Sequence, residues 1–285
     1  MNGLRIALRS ELFIALRSFA SKLIVLAPTL LASAQLLLVK LTETGQQARD
    51  SLLGGASFED SIANNAYGFF VDGLSTGLIM LGLLLVAQAA YSFSYERDIG
   101  SIRHILIRRV SRSSVLTAKL IHLHLLALLS VLLLLLSSYL LSGLLWEYGA
   151  IVEDGFELIS EQEIREEIGL GIRLALTPLP AAIAFGLLIS VSAQSATQAI
   201  ATALGITLAI DIFKNLLGDL ANYLYANFQP SLIDQSYLQS VSRIVRGYSD
   251  VLIDDRVLQL NMWVPFPALV LFFALGVWVV QRRKI

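Results

Sequence analysis

Between Leu125 and Leu136 the chain contains only Leu, Val, Ala and a single Ser. This run lies inside a longer apolar stretch from about Leu116 to Leu141. A membrane-crossing helix needs roughly 20 mostly apolar residues at 1.5 Å rise each, so this stretch is read as a span. Five others meet the same test: about Leu23 to Leu41, Leu74 to Tyr95, Leu174 to Ala193, Ala199 to Leu217 with Asp211 interrupting it, and Met262 to Val280. Composition agrees. Of 285 residues 56% are hydrophobic and only 15% charged, where a soluble domain carries roughly 25% charged residues. A soluble enzyme, a disordered chain and a nucleic-acid binder are excluded on that ground. With no cysteine, disulfides, thiolate metal sites and cysteine nucleophiles are excluded too. The expected fold is an all-α integral membrane protein of six spans, with residues 1–285 forming one domain.

Lys and Arg in the flanks set the orientation. Arg5, Arg9, Arg17 and Lys22 precede the first span. Arg97, Arg103, Arg108, Arg109, Arg112 and Lys119 follow the second, and Arg282, Arg283 and Lys284 follow the last. An even number of spans puts these groups on one side, with 13 basic residues against three acidic ones, Glu11, Glu96 and Asp98. Both termini are therefore expected in the cytoplasm, and the loops at about 42–73, 142–173 and 218–261 outside. Ala32-Ser33-Ala34 resembles a signal-peptide cleavage site, but Leu36–Val39 continue the apolar run where a cleavage region turns polar.

Outside the spans, Ile6-Ala7-Leu8-Arg9-Ser10 returns as Ile14-Ala15-Leu16-Arg17-Ser18. The eight-residue step is just over two helical turns and keeps one face. With Leu4, Leu8, Leu12, Ala15 and Phe19 near one side, the N-terminal stretch reads as an amphipathic interfacial helix. The loop after span three is acidic, from Glu147 to Glu167, and reads as a solvated helix surface rather than a cation site; the calcium-loop spacing is absent. The 218–261 loop carries Leu238, Val241, Ile244, Val245 and Tyr248 at helical spacing, with Tyr223, Tyr225 and Phe228 as interfacial aromatics. It is expected to lie as helical pieces on the outer surface.

Chemistry is sparse. No G-x-x-x-x-G-K-[ST] loop occurs, so the chain is not expected to bind ATP itself. No G-x-S-x-G elbow, paired intramembrane aspartates or His-Glu-x-x-His is present, which disfavours an intramembrane enzyme. His122 and His124 point to different helix faces and do not easily share a metal. Asp211 and Lys214 lie three apart on one face of span five. An intramembrane charge costs roughly 2.5–3.5 kcal/mol on insertion scales, so the two are read as a structural ion pair or a substrate or gating site. Gln35, Gln88, Ser190 and Ser192 suit interhelical hydrogen bonds.

The most informative segment runs from Glu96 to Lys119. Ile99, Ile102, Ile105 and Leu106 form an apolar stripe at helical spacing, Arg103, Arg108 and Arg109 lie off it, and Ser111 or Ser113 can cap the next span. This is a short surface helix between two membrane helices, flanked by Glu96 and Arg112 as charged groups at water-facing turns, or else a plain basic loop. The segment resembles the loop E-R-x-x-G-[TS]-x-x-x-L-L-x-x-P-[VL]-S-R-x-x-x-[LV]-x-[GA]-K of ABC-2 type transporter permeases. Glu96, Arg97, Gly100, Ser101, Leu106, Val110, Ser111, Arg112 and Lys119 match, while Arg109 stands where the family has proline. Glu11 followed by Arg17 is similar to that family's interfacial helix.

The resemblance implies a permease subunit in a bacterial cytoplasmic membrane, paired with a second permease copy or paralogue and two separate ATP-binding subunits. ATP would be bound by the partner and no cofactor by this chain. It also implies that the 96–112 loop is a coupling helix seated on the ATPase, with Glu96, Arg97, Gly100 and Arg112 transmitting closure. A mechanical transmitter on the same scaffold, remodelling an outside partner without transport, is the alternative.

Overall fold

The computed structural model describes residues 2–53, 65–101, 110–153, 156–232, 236–246 and 254–283. Helix α1 covers Asn2–Arg17 and α2 Phe19–Leu53. Helix α3 is Ala66–Asp98 and α4 Arg112–Leu145. A two-stranded antiparallel hairpin follows, β1 Ile151–Glu153 and β2 Phe156–Ile159. Then come α5 Glu161–Leu176, α6 Leu179–Ser192 and α7 Ala196–Phe213. Two 3₁₀ helices, Lys214–Tyr223 and Tyr225–Phe228, precede α8 Tyr237–Val245, α9 Asp255–Trp263 and α10 Pro265–Arg282. Among the described residues, six helical segments are long and apolar enough to cross a membrane. The chain is an all-α protein of multi-pass membrane type.

Helix α3 is the centre of the bundle. Its 33 residues span about 50 Å at 1.5 Å per residue, well beyond a hydrocarbon core of roughly 30 Å. Asn65 starts it at its side chain, accepting from the Tyr67 N–H at 2.9 Å while its amide donates to the Gly149 carbonyl at 2.7 Å. The sequence reading began this span eight residues later because Asp72 breaks the apolar run. Asp72 is held instead by the Ser242 hydroxyl at 2.5 Å and by Arg246.

Lipid gives helices no hydrophobic reason to associate, so small residues and interhelical hydrogen bonds hold the bundle. Gly186 of α6 is one such place: a Cβ there would lie 2.6 Å from the Ala89 Cβ and 2.8 Å from the Val86 carbonyl oxygen of α3. One turn on, the Ser190 hydroxyl accepts from the backbone N–H groups of Phe93 and Ser94 at 3.1 and 3.0 Å. Pro28 inside α2 has no N–H to offer the carbonyl of Ile24. That orphan is met across the bundle by the Ser130 hydroxyl of α4, 3.0 Å away.

Three boundaries depart from the sequence reading. The acidic loop after span three is a hairpin followed by α5, which leads through Pro178 directly into α6. Ser160 and Glu163 form a capping box that fixes where α5 starts. Span five ends as an α-helix at Phe213, and a bend at Gly218, φ +51°, turns the chain back. Residues 225–230 are therefore not part of a surface loop, while 215–220 stay exposed. Tyr223 is exposed, but Tyr225 and Phe228 are buried. The Tyr225 ring lies 5.5 Å from Phe272 and 6.2 Å from Phe185, and burial raises its phenol pKa. Gln229 reaches Gly82, halfway along α3, where a Cβ would lie 2.2 Å from its Nε2. The segment dips into the bundle because its aromatic residues find apolar walls there.

Candidate functional site

The ends of α1, α3, α4 and α10 gather on one face, the terminal face. Helix α1 lies across it. The echoed alanines Ala7 and Ala15 point at the protein, and between them on the same row is Glu11, all three buried. Leu12 and Leu16 are exposed on the other side, while Leu4 and Leu8 pack against the core, so only part of the apolar face of α1 is turned outward and a charged residue sits in the buried row. A carboxylate is tolerated there only if paired.

Its partner is Lys119 of α4, itself 1% exposed. The Lys119 Nζ donates to Glu11 Oε1 at 2.8 Å and to Glu96 Oε1 of α3 at 2.6 Å. One ammonium thus ties three helices together. The His122 Nδ1 lies 3.9 Å from Glu11 Oε2. His124 turns away and meets the Leu120 carbonyl of its own helix. The cluster holds two carboxylates against one ammonium, and Glu96 Oε2 is buried with no hydrogen-bond partner among the described residues.

Beyond Glu96 the helix is closed deliberately. Gly100 takes φ +73°, the left-handed conformation that glycine adopts without steric cost. The Ser101 hydroxyl donates to the Glu96 carbonyl at 3.1 Å. Asp98 accepts from the Ala196 N–H at 2.7 Å and so caps α7. Arg97 lies 3.7 Å from Asp98, and its Nη1 and Nη2 are buried without hydrogen bonds among the described residues. The surface helix expected from Ile99 to Leu106, with Arg103, Arg108 and Arg109, falls on residues 102–109, outside the described residues.

On the far side of that loop, Ser111 caps α4 by accepting from the Ser114 N–H at 3.1 Å. Arg112 does not stand free in water, as its place at a turn suggested. Its guanidinium donates to the carbonyls of Arg283 at 2.6 Å and Val280 at 3.3 Å, the exposed end of α10. Arg283 in turn donates to the Val191 carbonyl; burial and the nearby Arg97 charge lower its pKa. Glu96 departs from the reading in the same way: it is half-buried on Lys119 and not an open surface charge. Arg17 is exposed and stacks over the Phe13 ring at 4.3 Å.

The intramembrane candidates Asp211 and Lys214 form an ion pair at 3.0 Å, both side chains buried. The Lys214 Nζ also donates to the Ser231 hydroxyl at 3.1 Å. From Ala196, level with the end of α3, helix α7 rises about 22 Å to Asp211 at 1.5 Å per residue, close to the height of Gly82. The pair is separated from the Glu11–Lys119–Glu96 junction by about half the length of α3.

Sequence reading singled out Glu11, Glu96 and Lys119 separately. It did not find that they meet, nor the Asp98 cap, nor the Asp72–Arg246 pair. The available signal was a lone acidic residue among the arginines of α1 and a lysine just inside a span. Six membrane-crossing segments with a charged junction at one face define a polytopic α-helical membrane protein. More narrowly, the chain belongs to the family described as protein of unknown function (DUF2705), whose model matches residues 37–285. No curated protein matches it.

Proposed function

We propose that the chain is the membrane subunit of an ATP-driven ABC exporter of the ABC-2 type, powered by a separate ATP-binding subunit. In this reading the terminal face is cytoplasmic, the membrane is the bacterial cytoplasmic membrane, and the permease works as a dimer. The 96–112 loop docks on the ATPase. The observation that carries the reading is that the motif residues Glu96 and Lys119, which bracket that loop, meet Glu11 in one buried junction. A push on the loop would then be delivered to α1, α3 and α4 together.

The experiment is to purify the tagged full chain from its own membranes and assay the complex for ATP hydrolysis. An ATP-binding subunit should co-purify, while the stripped chain should bind no nucleotide. Glu96→Gln, which keeps size and a hydrogen bond, should lower stimulated turnover more than it lowers abundance. Nucleotide binding by the chain alone, or a complex without any ATPase, overturns the reading.

A second reading is mechanical transmission to an outside partner. It is favoured by the interlocked layer opposite the terminal face. There the Tyr67 hydroxyl donates to Glu161 at 2.6 Å, Tyr237 to Glu167, and Arg246 pairs with Asp72. Cross-linking from α8 to a specific partner, with no substrate moved into vesicles, would select it.

A further inference from the structure

Behind the junction lies a cavity of about 670 Å³ between α1 and α3, within the range of sites that hold small organic ligands. Its polar end carries Glu11, Glu96 and Lys119, one net negative charge. Lys119 uses only one oxygen of each carboxylate. The second oxygen of Glu96 and the Nε2 of His122 are buried and without hydrogen-bond partners among the described residues, a costly state unless something meets them. Tyr91 and Tyr95, on the same helix as Glu96, also line it, and their rings stack at 4.6 Å. Aromatic faces attract cations. A second cavity of about 560 Å³ borders the first along α1, shares Ala15, Ser21 and His122 with it, and is otherwise lined by leucines and Val25, with Lys22 also in its wall.

We infer that the chain binds an amphiphilic organic cation here. A protonated amine sits between Glu96 and the Tyr91–Tyr95 pair, and its hydrocarbon part lies in the neighbouring apolar cavity. The charge selects a cation over a neutral or anionic amphiphile, and the apolar annex selects a chain or ring over a bare metal ion. A free amphiphilic amine and an ethanolamine lipid headgroup share that chemistry. The inference does not rest on the permease reading, since it concerns the chain without any ATPase.

The test uses the full chain in phosphatidylcholine nanodiscs and two fluorescent probes, dansylcadaverine and its uncharged N-acetyl derivative. Wild type should bind the amine about thirtyfold more tightly than the acetylated probe, the size of one cation contact in a desolvated site. Glu96→Gln keeps the side-chain volume and leaves the cluster neutral; it should bring the amine to the affinity of the acetylated probe. Ser92→Phe, which fills the cavity from α3 without touching the charges, should abolish the binding of both. Thermal unfolding in the same nanodiscs checks that each variant is folded. Should Glu96→Gln not fold, the two probes on wild type and on Ser92→Phe decide. Replacing part of the lipid with phosphatidylethanolamine assigns the source: weaker amine binding marks the lipid headgroup, unchanged binding a free amine. Equal affinity of wild type for both probes overturns the inference. So does wild-type amine affinity in a folded Glu96→Gln variant, or in a folded Ser92→Phe one.

Discussion

Among the described residues two lysines are buried, and they are buried in opposite ways. Lys119 answers carboxylates from two other helices, Glu11 and Glu96, far from it in sequence. Lys214 answers Asp211, three residues earlier on its own chain turn, with Ser231 in support. The local pair is neutralised before any tertiary structure exists, so it can enter lipid as a unit. Lys119 finds its carboxylates only when α1, α3 and α4 have met, and the cluster keeps one net negative charge even then. One lysine therefore makes a segment insertable, and the other makes an arrangement of helices specific. That is the physical reason for placing a coupling role at Lys119 and not at Lys214.

The sharpest way to break this comparison is Lys119→Met. It leaves two carboxylates facing each other in a buried site. Removing one partner of a buried ion pair typically costs about 3–5 kcal/mol. Folded yield and unfolding temperature in detergent should fall steeply, and adding Glu11→Gln with Glu96→Gln should restore most of the loss. If Lys119→Met alone is as stable as wild type, the cluster does not hold the helices together.

A smaller effect is expected at the other lysine. Asp211→Asn strands Lys214 beside Ser231, at a cost of about 1–3 kcal/mol for a buried group losing its partner. Because the pair is local, Asp211→Asn combined with Lys214→Met should recover fully, and so should the reversed pair, Asp211→Lys with Lys214→Asp. The comparable reversal of Glu11 and Lys119 should fail, since Glu96 would then face a second carboxylate. The same assay reads all of these variants. Equal tolerance of both reversals would erase the distinction between local and long-range pairing.

What the sequence disclosed follows the same division. The spans were legible because hydropathy over about 20 residues is a local property. So was the Ser111 cap, decided within a few residues. The meeting of residues 11, 96 and 119 was not, because it depends on how three helices pack. The dip of residues 225–230 was also hidden. Tyr225, Ala226 and Phe228 are divided by polar neighbours, and 3₁₀ turns closed by a Gly218 bend carry no 3.6-residue periodicity to detect. The expectation that Glu96 and Arg112 are free surface charges failed for a related reason. A charged residue at a predicted turn looks solvated until the carbonyls of α10, or the ammonium of Lys119, are placed beside it.

Ser130 offers an uncharged version of the long-range contact. Its hydroxyl serves the Ile24 carbonyl that Pro28 leaves without a donor. Ser130→Ala should cost about 0.6 kcal/mol and at most about 1.7, the measured range for interhelical hydrogen bonds in a membrane protein. Restoring the local bond instead, with Pro28→Ala in the Ser130→Ala background, should return most of it. If Pro28→Ala gives no rescue, the hydroxyl acts through packing and not through the orphaned carbonyl.

A comparably small effect is expected at Arg17, which carries a charge on the same helix as Glu11 but on another side. It is exposed and its one marked contact is the Phe13 ring at 4.3 Å, worth about 0.5–1 kcal/mol at an exposed site. Arg17→Ala should therefore change the unfolding temperature little, while Glu11→Ala, on the buried row, leaves Lys119 with a single carboxylate and should change it several times more. The two substitutions remove one charge each from α1, so bulk attraction to anionic lipid would rank them the other way, with loss of the arginine the more harmful. Measuring both variants in neutral and in anionic lipid separates the two effects. If Arg17→Ala proves the more damaging in neutral lipid as well, α1 is held by the membrane surface and the buried Glu11–Lys119 contact is not what anchors it.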